Sequence, residues 1–180
     1  MKQIRDKSVE LAAAAAALLL CLLSGNGWFS NWLLASLGPL NLLSALGVPA
    51  GLPNARGWPL GETTWWQTIT ETFAAGVFVA MVALWINGTR KRRLAPGAPR
   101  LFLGGWVATI VAAVAADLVR MTIASFATVP SPGIYLGLAI AAIVFGSVWG
   151  LVTGWIVGAA VLVAARYDRR RETSTPVVET

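Results

Sequence analysis

The chain has 180 residues, of which 57% are hydrophobic and only 12% charged, with a mean hydropathy of +0.69; a soluble domain carries about 25% charged residues, so this composition excludes a water-soluble globule. The net charge of +6 comes from 14 basic and 8 acidic residues, and the basic residues cluster beside apolar runs, an orientation signal rather than a nucleic-acid footprint. Histidine is absent and cysteine occurs once, at Cys21, which rules out an intramolecular disulfide and leaves zinc, haem and iron–sulfur sites without their usual ligands.

The amino terminus carries Lys2, Arg5 and Lys7 ahead of an apolar stretch from Leu11 to Leu23. That length suits either a signal-peptide core or a short first span. Leu23, Ser24 and Gly25 fit a signal cleavage site poorly, and no small residue precedes Cys21 as a lipoprotein signal would require. An uncleaved span over about residues 8–25 is therefore expected, the alternative being a three-span mature protein with its amino terminus outside.

Residues 28–64 are apolar but punctuated by Pro39, Pro49, Pro53 and Pro59, and crowded with Trp28, Trp32 and Trp58 ahead of Trp65 and Trp66. Tryptophans of this kind anchor at the headgroup level. A full crossing here would place the run Arg90, Lys91, Arg92, Arg93 on the face opposite the amino terminus, against the positive-inside bias. The expectation is an interfacial or re-entrant helical segment on the outer side.

A second span is predicted over about 65–86, ending at a basic, proline-containing loop. A third runs over about 101–126 and a fourth over about 134–165. The last ends at Arg166, Arg169, Arg170 and Arg171, with residues 167–180 read as a cytoplasmic polar tail. No proline falls inside any of these spans, as continuous helices require. The basic groups anchor helix ends to anionic headgroups and set topology. The fold class expected is an all-α, integral membrane four-helix bundle, residues 1–166 forming one polytopic domain with both termini cytoplasmic. The Ala-, Gly-, Val- and Arg-rich vocabulary points to a bacterial chain and hence to the cytoplasmic (inner) membrane.

Two features stand out within the spans. Ala142, Gly146, Gly150, Gly154 and Gly158 recur every four residues and draw one slowly drifting stripe along a helix. Because lipid provides no hydrophobic drive between helices, small residues that let backbones approach closely take its place. Such a glycine zipper serves either as an internal seam, for which Ala108, Ala112 and Ala116 of span three offer a matching face, or as a face for a second protein. Trp149 and Trp155 lie off the stripe and are expected to face lipid, Trp155 as an interfacial anchor.

The second feature is charge. Asp117 and Arg120 lie three apart in span three and so on one helix face, and Glu71 lies in span two. An unpaired charge at mid-membrane costs about 2.5–3.5 kcal/mol, so these residues are expected to face protein and to pair. Glu71 follows the outer tryptophans by about five residues and Arg120 precedes the outer end of span three by about six, which puts them at similar depth. The three would form a cluster of net charge −1 if all are ionised, with Thr63, Thr64, Thr68, Thr70 and Thr72 at the same end. The cluster is either a structural salt bridge or a site for a proton, an ion or a polar ligand.

No nucleophile motif, phosphate loop or metal-ligand set is present in the sequence. The function expected is a non-enzymatic accessory or assembly subunit of the membrane, contacting lipid and either another integral membrane protein or a second copy of itself. A small transporter or channel using Glu71, Asp117 and Arg120 is the alternative, and a lipid-directed membrane enzyme at the outer interface the third possibility. No cofactor, metal or nucleic-acid partner is expected.

Overall fold

The structure is a computed structural model that describes residues 2–26, 52–59, 63–91, 97–128 and 131–173. Four helices follow in chain order: α1 (Lys2–Gly25), α2 (Trp65–Lys91), α3 (Ala98–Thr128) and α4 (Pro132–Thr173). Among the described residues there are no strands. Each helix is long and apolar enough to cross a membrane. At a rise of 1.5 Å per residue, α1 extends about 36 Å and α4 about 63 Å, against a hydrocarbon core of about 30 Å.

Local chemistry sets the helix starts. Thr64 caps α2: its hydroxyl accepts from Gln67 N at 3.2 Å, and Gln67 Oε1 accepts in return from Thr64 N at 2.9 Å. This reciprocal arrangement satisfies two donors that helix starts leave orphaned. Pro132 is the first residue of α4 and Pro99 lies in the first turn of α3, positions where a missing N–H costs nothing. At its far end α4 does not stop near Arg166, where a polar tail was expected, but continues to Thr173. Residues 166–173 contain neither proline nor glycine, and their arginines and glutamate are good helix formers.

The helices form a ring in which α1 packs on α2 and α4, α2 on α3, and α3 on α4. Sequential helices are antiparallel, so one end of the bundle gathers the end of α1 and the start of α2, and is called here the loop end because residues 52–59 pack there. The other, the basic end, carries Arg166 and Arg170, both exposed. Ser8 of α1 donates a hydrogen bond to the Asp168 carboxylate of α4 and ties the bundle at that end. Helical periodicity selects the buried face of each element: Val9, Ala13, Ala17 and Leu20 in α1, and Ala75, Phe78, Val82 and Ile86 in α2.

The contact between α3 and α4 is the closest in the bundle. A Cβ placed on Gly146 would lie 2.6 Å from Val114 Cα, and one on Gly150 would lie 2.4 Å from Ile110 Cα. Gly154 is faced by the Trp106 indole, Gly158 by Phe102, and Gly105 of α3 meets Gly158 itself. Trp106 also donates Nε1–H to Leu151 O at 3.0 Å, a side-chain bond across the seam. The glycine stripe of α4 thus faces α3 of the same chain, through Phe102, Trp106, Ile110 and Val114 rather than the expected Ala108, Ala112 and Ala116, and Ala142 at its head is buried.

Trp149 departs from expectation. It is 4% exposed and belongs to the core, whereas Trp155 is exposed. Trp149 shares its side of α4 with Thr153, Val157 and Val161, all buried, because a residue next to a seam position on a helix can still face the bundle when the helix has two protein neighbours. The expected outer-side helical segment over 28–64 lies largely outside the described residues, with Trp28 and Trp32. The stretches of it that are described ahead of α2, residues 52–59 and 63–64, are not helical.

Candidate functional site

The loop end holds the charged cluster. Asp117 and Arg120 stand on the face of α3 that continues the alanine positions 108, 112 and 116, and Glu71 stands on the face of α2 that continues to Ala75 and Phe78. Because α2 and α3 are antiparallel neighbours, the two faces meet. Arg120 donates from Nη2 and Nε to Glu71 Oε1, at 2.7 and 2.8 Å, and from Nη1 to Asp117 Oδ1 at 2.8 Å. One guanidinium therefore bridges two carboxylates, the geometry for which arginine is suited. The side chains of Arg120 and Asp117 are 5% and 3% exposed, that of Glu71 22%. The structure brings together all three ionisable residues singled out within the spans.

The cluster is covered by residues 52–59, part of the segment read from the sequence as outer-side and interfacial, with no link to these charges expected. Asn54 N–H donates to the second carboxylate oxygen of Glu71, Oε2, at 3.1 Å. With its amide oriented to donate, Asn54 Nδ2 also reaches Ser24 O of α1 at 2.8 Å. Ala55 N–H donates to Cys21 O at 3.2 Å, and Thr72 Oγ1 donates to Arg56 O at 3.0 Å. Leu52 and Pro53 of this strap are buried. No local sequence signal says which distant carboxylate a backbone N–H of this stretch will meet.

Comparison with known proteins returns no matching family model, no matching curated protein and no matching solved structure. The site is therefore argued from its own chemistry.

The threonines at this end are used locally. Thr64 caps α2, Thr68 Oγ1 donates to Thr64 O at 3.1 Å, and Thr72 holds the strap. Cys21 is fully buried. Among the described residues no group of three or more His, Cys, Asp or Glu side chains is arranged to hold a metal ion. Trp58, Trp65 and Trp66 are all exposed at the loop end, where the strap meets α2. Of the basic residues of the first loop, Arg90 and Lys91 close α2, while Arg92 and Arg93 lie outside the described residues. Chemically, among the described residues, one buried and one half-buried carboxyl group are held by one guanidinium and one backbone donor, an arrangement that ties α2, α3 and the strap together.

Proposed function

We propose that this chain is a non-enzymatic accessory or assembly subunit of the bacterial cytoplasmic membrane, with both termini in the cytoplasm. The observation that carries the proposal is the use made of Arg120: its guanidinium is engaged by Glu71 and Asp117, and Asn54 takes the remaining oxygen of Glu71. Charges tied to one another in this way serve register, as buried ion pairs do in their best-attested role. The orientation follows from the basic residues at the ends of α2 and α4. With the glycine stripe filled by α3, a partner helix would seat on the exposed apolar residues of α4, which include Ile140, Val144, Leu151 and Val163.

The test is the native mass of the protein extracted in mild detergent from its own host, with co-purifying chains identified by mass spectrometry. A foreign integral membrane protein in fixed stoichiometry, whose abundance falls when this chain is deleted, is the expected result. A lone monomer or homo-oligomer, with no membrane protein depleted on deletion, overturns the proposal.

One observation favours a second use of the same cluster. Glu71 keeps part of its side chain exposed at the loop end, and ionisable residues inside a span often mark a proton or ion path. Under this alternative, Glu71→Gln and Asp117→Asn abolish ion or proton flux in proteoliposomes while expression is retained. Absence of any flux in the unaltered protein removes it.

A further inference from the structure

On α2 the residues two positions out of phase with the buried face point away from the bundle. Along that side runs an open apolar groove of about 670 Å³, lined by Trp65, Ile69, Phe73, Gly76 and Ala80, with Arg56 of the strap at its loop end. From Trp65 to Ala80 the helix rises about 22 Å, enough for the roughly 15 Å depth of one leaflet's hydrocarbon and part of its headgroup layer. Gly76 widens the groove, since a Cβ there would meet nothing within 4 Å. The volume lies within the range of small-molecule sites, ~300–1,000 Å³.

Arg56 distinguishes this groove from ordinary lipid-facing surface. Its stem packs by Gly25, where Cγ would lie 3.3 Å from an added Cβ. Its Nε is shielded from water and meets no acceptor, which in a folded protein calls for an explanation. The Arg56 guanidinium at the mouth of an apolar groove is complementary to a lipid phosphate whose headgroup carries no compensating ammonium, and arginine binds phosphate through paired N–H donors.

We propose that the groove holds an acyl chain of an anionic phospholipid whose phosphate is bound by Arg56. The proposal is independent of any partner protein and requires only that the helices lie in a bilayer.

The full chain, reconstituted in phosphatidylcholine vesicles, is exposed to trace phosphatidylglycerol or phosphatidylcholine bearing the same photoactivatable acyl chain. Cross-links are then mapped by mass spectrometry. Peptides covering 65–80 are expected to label roughly fivefold more with the anionic lipid, the gain of one arginine near an anionic headgroup. Arg56→Gln removes the preference and leaves residual labelling, whereas Gly76→Phe suppresses labelling of this stretch by both lipids. Because Gly76 faces open space, Gly76→Phe retains helicity and a monodisperse elution profile, and Gly76→Ala serves as the milder second variant. Equal labelling by the two lipids in the unaltered protein overturns the proposal, as does labelling that neither substitution changes, which marks annular lipid only. Cross-links from this stretch to another part of the chain or to a second copy, in place of lipid, overturn it too.

Discussion

Arg120 tests whether the cluster acts as a clamp. Arg120→Leu leaves Glu71 and Asp117 in a largely buried site without their cation, and removing one partner of a buried pair costs about 3–5 kcal/mol. The triple variant Glu71→Gln, Asp117→Asn, Arg120→Gln removes all three charges and is expected to cost less than Arg120→Leu alone. Reversible unfolding in mixed detergent micelles provides the comparison; an Arg120→Leu protein as stable as the parent would show that the cluster bears no structural load. This pairing was legible before the fold, because residues three apart share a helix face and depth can be counted from the tryptophans. The partner of the second Glu71 oxygen was not, since Asn54 reaches it from a loop whose path depends on where α1 ends. The capping pair Thr64 and Gln67 was visible as a threonine followed three residues later by glutamine, but it was passed over among five threonines at that end.

At the scale of elements, the α3–α4 seam makes opposite demands on two adjacent glycines. A Cβ on Gly105 would lie 2.8 Å from Gly158 Cα, while one on Gly104 would meet nothing within 4 Å. Gly105→Ala must force two backbones apart and is expected to cost about 1–3 kcal/mol. Gly104→Ala only improves helix propensity and is expected to gain up to about 1 kcal/mol. Equal effects of the two, measured by the same unfolding assay, would contradict the close approach. The four-residue repeat in α4 announced a seam, as repeated small residues in an apolar helix do, but left its partner open between α3 and a second protein. Only the ring order, with α3 beside α4, fills it within the chain. Trp149 is the converse case: expected to face lipid, it is buried, in a helix that packs on both α3 and α1.

For the whole molecule, the antiparallel ring puts residues 52–59 and the end of α4 at opposite ends of the bundle. Cys21 is fully buried, so the unaltered protein is expected to resist a membrane-impermeant maleimide in intact cells and to react after denaturation. Cysteines introduced singly at Gly57 and Arg170, both exposed, should be labelled from opposite sides: Gly57→Cys in intact cells, Arg170→Cys only after the membrane is opened. Labelling of both from one side would break the four-span topology, and the reverse pattern would invert the proposed orientation.

That four helices are long and apolar enough to cross a membrane was determined by the sequence alone, because it follows from local quantities: apolar run length, proline placement, helical period and rise per residue; the helix ends were less legible, α1 starting at Lys2 and α4 running on to Thr173. Tertiary structure alone decided which helix fills the glycine stripe, that a strap covers Glu71, that Trp149 is inside, and that Arg56 stands at the mouth of a groove. Those outcomes depend on which faces of distant segments meet, and in lipid, where every apolar face is equally at ease with the solvent, hydrophobicity along the chain does not specify that choice.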